Sequence, residues 1–285
     1  MMYGRKMDKV TLVLKEPLAI PVEAEFICPD VFADKNCREI ESLPLHHGNR
    51  ERRLGELFEV HGERSVRIMI EGDVSRVKKI GYGMTKGRIV IMGDAGMHLG
   101  AAMSDGEIIV EGNASDWLGA EMKGGVIRIK GDAGNLVGAA YRGSKSGMNQ
   151  GMIIIEGNSG NEVGERMRKG TITIMGRAGD FLGASMTGGT IIVFGRIGMR
   201  SGAEMRRGTI VTFQEGDDTA VPLQLLPTFR YDCTYHPVFL RVYLKTLQRH
   251  GLEIKEEYIT GSYRRYNGDI VELGKGEILV YEPGA

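Results

Sequence analysis

Short apolar runs, each closed by glycine, dominate the middle of the chain. Arg88-Ile89-Val90-Ile91 and Gly151-Met152-Ile153-Ile154-Ile155 are typical. They are too short for a helix and rich in β-branched residues, so they predict strands. The runs recur at a fixed interval. Gly93, Gly112, Gly131, Gly157, Gly176 and Gly195 each end a run and lie 19 residues apart, except for one step of 26. A second series, Gly100, Gly119, Gly138, Gly164, Gly183 and Gly202, follows the first by seven residues. A third, Gly87, Gly106, Gly125, Gly151, Gly170, Gly189 and Gly208, precedes the runs. An earlier copy, Ile68-Met69-Ile70-Glu71-Gly72, runs into Gly81 and brings the array to about eight turns.

The apolar positions fall into columns. Four residues before each first-series glycine stand Ile68, Ile89, Ile108, Ile127, Ile153, Ile172 and Ile191, with Ile210 in an incomplete last turn. Two residues on stand Ile70, Ile91, Val110, Ile129, Ile155, Ile174 and Val193, as expected when alternate side chains share a face. A third column reads Met84, Met103, Met122, Met167, Met186 and Met205, with Tyr141 at the corresponding place in the widened turn. Stacked side chains predict a parallel β-helix in which each turn hydrogen-bonds to the next at roughly 4.8 Å, with glycines at the corners. Met69, Val90, Ile109, Ile154, Ile192 and Val211 lie between the two inward columns and so face outward, interrupted only by Arg128 and Thr173. So long an apolar face predicts a cover.

The flanks supply one. His236-Pro237 followed by Val238 to Leu247 and closed by Gly251 predicts a helix, whose Val238, Leu240, Val242, Leu244 and Leu247 offer apolar surface. A partner subunit is the alternative cover. Val10-Thr11-Leu12-Val13-Leu14 alternates like an edge strand, Asn36 to Leu43 reads as a short helix stopped by Pro44, and Tyr266-Asn267-Gly268-Asp269 reads as a hairpin turn. The chain therefore divides into a flanking segment 1–64, a repeat domain 65–213 and a C-terminal helix and hairpin 214–285 that cap it.

Composition narrows the function classes. Glycine numbers 42, nearly double its usual share, and in register this builds a core rather than disorder. Thirty-seven basic and 37 acidic residues leave no basic excess for nucleic acid or an anionic membrane. Cys28, Cys37 and Cys233 form no CxxC pair and fit a reducing interior. No h-region follows Met1-Met2-Tyr3-Gly4-Arg5-Lys6 and no span-length apolar stretch exists, so a cytoplasmic protein is expected.

A search for chemistry returns no motif. The pair His46-His47 reads as part of a solvated loop, and His61, His98, His236 and His250 are scattered without metal-ligand spacing. Gly81-Tyr82-Gly83 and Gly274-Lys275-Gly276 lack the third glycine of a dinucleotide loop, and Ser144 stands where a P-loop needs lysine. No catalytic, cofactor-binding or metal-binding residue is assigned. The irregularity that remains is the 26-residue step, where Tyr141 to Gln150 must bulge. Its residue types suit an interface, so Tyr141, Arg142, Lys145, Met148, Asn149 and Gln150 are predicted to contact a partner protein of a complex. A passive surface insertion is the alternative.

Three stretches of the repeat, Gly81-Tyr82-Gly83-Met84-Thr85-Lys86-Gly87, Trp117-Leu118-Gly119-Ala120-Glu121-Met122-Lys123-Gly124-Gly125 and Asn161-Glu162-Val163-Gly164-Glu165-Arg166-Met167, resemble the C subunit of formylmethanofuran dehydrogenase. So do Gly48-Asn49-Arg50, Leu54 to Val60, and Asn267-Gly268-Asp269 with Gly274 to Ile278. The resemblance implies a right-handed coil similar to the C-terminal domain of the glutamate synthase large subunit. It implies membership of a complex that reversibly converts CO2 and methanofuran to formylmethanofuran in methanogenic and related archaea. Molybdenum or tungsten pterin and iron–sulfur clusters would sit in one companion subunit and zinc in an amidohydrolase-like one, with no family catalytic residue to place on this chain. Two alternatives stand beside it: the C subunit of the bacterial formyltransferase/hydrolase complex, and an independent β-helix enzyme acting on polysaccharide.

Overall fold

The computed structural model describes residues 9–213 and 223–283. The run Met1 to Lys6 and the first residues of the 214–285 segment lie outside these. Among the described residues the chain is mainly β, with a parallel-dominated sheet of 13 strands. Its centre consists of the repeat strands in chain order. Arg67–Glu71, Arg88–Ile91, Glu107–Val110, Lys123–Ile129, Gln150–Ile155, Thr171–Ile174, Thr187–Val193 and Arg207–Thr212 each pair in parallel with the next.

The register keeps like residues together. Ile68, Ile89, Ile108, Ile127, Ile153, Ile172, Ile191 and Ile210 are successive Cα partners, and each is at most 2% exposed. The column extends past the repeat at both ends. Val10 partners Ile68, and Ile278 of the C-terminal strand Lys275–Glu282 partners Ile210 in parallel. Val10–Leu14 is therefore not an edge strand, because it lies between Arg67–Glu71 and the antiparallel Phe58–His61. A second parallel ladder of isolated bridges joins Val74, Ala95, Ala114, Ala133, Ser159 and Ala178.

The glycine series serve different needs. Gly119 takes φ +58, and a Cβ there would lie 2.6 Å from Ile153 Cδ1 on the next turn. Gly195 has no positive φ, but a Cβ on it would stand 2.6 Å from the carbonyl oxygen of Gly176. One corner thus needs the left-handed region, and the other needs turns in near contact.

Polar ladders run beside the core. Asp94 Oδ1 accepts from the Asn113 backbone N–H (2.7 Å), Asn113 Oδ1 from Asp132 (2.8 Å), Asp132 Oδ1 from Asn158 (2.6 Å) and Asn158 Oδ1 from Arg177 (2.9 Å). Asp116, Asn135, Asn161 and Asp180 accept in the same way from Asn135, Asn161, Asp180 and Met199. These rungs satisfy backbone N–H groups between the strands that would otherwise be left unpaired.

The C-terminal helix Val238–Arg249 lies over the outer strand face. Leu240, Leu244 and Leu247 are buried with Ile154, Ile192 and Val211, which stabilises the contact by roughly 1.5–3 kcal/mol per leucine. Val238 and Val242, expected to join them, point away and are 70% and 68% exposed. Positions 240, 244 and 247 already fill the buried stripe of a 3.6-residue helix, which turns 238 and 242 to the opposite side. The helix stops in a Schellman arrangement: Leu252 N–H reaches the Leu247 carbonyl (3.1 Å), Gly251 N–H reaches that of Gln248 (2.9 Å), and Gly251 takes φ +81. The cover is incomplete. Met69 and Val90 remain partly exposed and line a groove of about 510 Å³ with Lys9, Arg67 and Arg88.

The hairpin of Ser262–Gly268 with Lys275–Glu282 turns through 269–274, so Tyr266, Asn267 and Gly268 belong to a strand rather than to the turn. The expected N-terminal helix is present as Cys37–Glu41, with Asn36 and Glu39 forming a capping box. His46 and His47 occupy the strand Pro44–His47 of a second, four-stranded sheet rather than a loop. No helix of the described residues is long and apolar enough to cross a membrane.

Candidate partner-docking site on the inserted loop

The widened turn reaches the surface by a turn at Tyr141–Ser144. Ser144 N–H donates to the Tyr141 carbonyl (2.9 Å), and Gly143 takes φ +89, in the region that a type II turn reserves for glycine. Arg166 Nη1 donates to the Ser144 carbonyl (2.9 Å) and Gly147 N–H to that of Arg166 (2.9 Å), so the next turn pins the loop. The parallel ladder resumes with Asn149 N–H on the Met122 carbonyl (2.8 Å).

Two expectations about this loop need correction. The methionine column is filled in the widened turn by Met148, fully buried, and not by Tyr141. A Cβ on Gly170 would meet Met148 Cε, as one on Gly151 would meet Met122 Cε. The insertion therefore precedes the column position, and Met148 is a core residue that cannot contact a partner. Arg142, Lys145, Asn149 and Gln150 are exposed. Lys145 faces the following turns across a charged groove of about 270 Å³ with Arg166, Glu204, Arg206 and Glu272.

Released from the column, Tyr141 folds back over the two preceding turns. Its ring stacks on Trp117 with centroids 4.9 Å apart, and its hydroxyl lies 2.9 Å from His98 Nδ1. His98 in turn stacks on Trp117 at 6.1 Å. His98 and Trp117 occupy the same corner of successive turns, with φ +61 and +63, and all three rings are half-buried. Glu121 holds the base of the group by accepting from Tyr141 N–H (3.1 Å).

The electrostatics keep this cluster neutral. Burial pushes the Tyr141 phenol up to about 12, helped by Tyr82 and Glu121, so its O–H remains a donor. Burial, then the charges of Lys78 and Lys79, hold His98 below its usual value, which favours the neutral imidazole beside that O–H. The arrangement offers flat aromatic surface and a neutral imidazole. Sequence reasoning found Tyr141 but missed His98 and Trp117. Their signal was periodic, since each stands two residues before a second-series glycine. Among the described residues no three His, Cys, Asp or Glu side chains converge as a metal ion would require.

Comparison with known proteins puts this geometry in a lineage. Residues 107–226 match the GXGXG motif family. The chain is 45% identical over 100 residues to the C subunit of tungsten-containing formylmethanofuran dehydrogenase 2 of Methanothermobacter wolfeii, a stretch covering 33% of this chain and 37% of that one. It is 51% identical over 93 residues to the C subunit of molybdenum-containing formylmethanofuran dehydrogenase 1 of Methanothermobacter thermautotrophicus, covering 31% and 23%. The aligned stretches thus span about a third or less of these relatives. A chain in the crystal structure of the formyltransferase/hydrolase complex from Methylorubrum extorquens, solved with methylofuran, matches at 35% identity and a TM-score of 0.87, over 95% of this chain and 98% of that one. The chain belongs to the family of formylmethanofuran dehydrogenase C subunits. That structurally similar chain is part of a multi-subunit complex.

Proposed function

We propose that this chain is a non-catalytic, partner-binding subunit of formylmethanofuran dehydrogenase, the complex that reversibly converts CO2 and methanofuran to formylmethanofuran in archaeal methanogenesis or related one-carbon metabolism. In this reading the 65–213 segment is a right-handed parallel β-helix, and segments 1–64 and 214–285 pack on it as caps. Molybdenum or tungsten pterin, iron–sulfur clusters and zinc belong to companion subunits of a cytoplasmic assembly, one pterin-binding and one amidohydrolase-like.

The observation that carries this reading is the Tyr141 platform. The seven inserted residues are not needed to fill the stack, because Met148 already occupies the column. Instead they deliver a tyrosine to a tryptophan at 4.9 Å on an open surface. Half-exposed Trp and Tyr held in fixed orientation are the residues that dominate binding energy at protein interfaces. The full-length likeness to a chain of the formyltransferase/hydrolase complex favours a second reading, in which the companions are those of that bacterial assembly. Identifying the chains that co-purify from the native organism separates the two, since only the first predicts a molybdopterin-binding partner.

Deleting residues 141–147 tests the docking role while leaving Met148 in its column and restoring a 19-residue turn. The expected result is a folded chain that loses at least one companion subunit. Recovery of every companion at wild-type yield would reduce the loop to a passive bulge.

A further inference from the structure

The C-terminal helix carries a second surface that the strand packing does not use. Opposite the buried Leu240, Leu244 and Leu247, its outer side presents Arg241, Lys245 and Arg249 at i, i+4 and i+8, all exposed. Val238 and Val242, 70% and 68% exposed, stand among them, with Phe239 at 38%. The helix contains no acidic residue. Among the described residues none of the three cations forms an ion pair, in a chain whose formal net charge is +0. A solvent-facing helix in a balanced protein ordinarily interleaves both signs and keeps aliphatic side chains off its outer face. This helix does neither.

We infer that the outer face of the 238–249 helix is a docking surface for an acidic protein surface with an apolar centre. The inference rests on the reading of the chain as a subunit and adds a second contact to the one at Tyr141. Charge complementarity fixes the partner's sign, because three aligned cations repel one another until carboxylates meet them. The exposed valines and Phe239 supply the apolar patch, and arginines suit its rim. A lipid surface fits less well. An interfacial helix buries a broad apolar face in the bilayer, whereas the broad face here is already spent on Ile154, Ile192 and Val211.

The test is the variant R241E/K245E, expressed with the companion subunits beside wild type and the 141–147 deletion. Both substitutions are on the exposed side and precede the last turn of the helix, so the isolated chain should keep its thermal midpoint. Recovery of one companion should fall about tenfold at roughly 0.15 M salt. The double variant V238S/V242S should weaken the same companion without altering the salt dependence. Unchanged recovery by both variants overturns the inference while leaving the subunit reading intact. So does a lowered midpoint in the charge-reversed chain alone, which would mark an acidic contact within the chain. Salt-sensitive binding of the wild-type chain to phosphatidylserine vesicles, lost in the variant, would reassign the face to membrane. If the wild-type chain recovers no companion at all, the subunit reading falls and this inference with it.

Discussion

Arg128 joins the repeat to the C-terminal helix: its Nη1 donates to the His250 carbonyl at 2.7 Å, while its Nε donates to Glu156 at 2.7 Å. In the outward column of the strands it replaces an apolar residue, and the helix end explains why. The carbonyls of a helix C-terminus carry partial negative charge and lack intrahelical donors. R128A should destabilise the chain by about 1.5–3 kcal/mol, the worth of hydrogen bonds to a charged group, read from urea unfolding. R128K should recover only part of this, because an ammonium lacks the planar fork that lets the guanidinium reach both acceptors.

Ile127 sits mid-column with Ile108 and Ile153 as its register partners and is fully buried. I127A should leave a cavity and cost roughly 2–5 kcal/mol in chemical unfolding. An unchanged midpoint would mean that the column is not interior.

Truncation after residue 213 removes the helix that buries Ile154, Ile192 and Val211, and also the strand whose Ile278 closes the isoleucine column. Both the outer face and the end layer would then meet water. Size-exclusion chromatography should show aggregation, and a soluble monomer would count against the helix as a necessary cover.

His98 gives a pH signature. Its folded-state value lies below the ordinary 6.5, so on acidification the unfolded chain takes up a proton first. Stability should therefore fall as pH drops below about 6.5 and level off once His98 is protonated in the folded state. H98Q should flatten that slope. Y141F should affect it less, since burial is the largest cause of the shift and the charges of Lys78 and Lys79 come next. Thermal midpoints measured from about pH 5 to about 7.5 would show whether the slope belongs to this residue.

The isoleucine columns were legible because a side chain that must stack on its own kind imposes a period, and Ile89 to Ile191 keep it without exception. The closing strand was concealed by distance, although Lys275-Gly276-Glu277-Ile278 repeats the pattern Arg207-Gly208-Thr209-Ile210. Thr209 and Glu277, neighbours in the sheet, are 68 residues apart in the chain. Periodicity also could not choose between Tyr141 and Met148. It locates the extra residues within a turn but not on which side of the column they fall, and burial decides for the methionine because the column's slot is lined by glycine backbone. Apolar type alone points the helix and its valines at the strand face, whereas the helical period places Val238 and Val242 outward. His98 and Trp117 meet through the period itself, but Tyr141 joins them only after the loop folds back, a tertiary event without local signature.

The ladder Asp94, Asn113, Asp132, Asn158 strictly alternates a carboxylate with an amide, and the second ladder likewise places no two carboxylates on adjacent rungs. Asn113 Nδ2 and Asn158 Nδ2 donate back to the carboxylates they follow, at 3.1 and 3.0 Å. In backbone terms the unit cell of this stack is one turn, but from Asp94 to Asn158 its electrostatic unit cell is two; Asp73, one turn earlier in the same column, stands outside the alternation and accepts instead from Ser75 N–H. Excising the single turn 113–131 would set Asp94 against Asp132 at rung spacing, with two like charges and no amide between them. Excising two successive turns preserves the alternation. Between Asp94 and Asn158 the stack therefore tolerates loss of a turn that begins with a carboxylate better than loss of one that begins with an amide, a rule written in side-chain charge rather than in the fold.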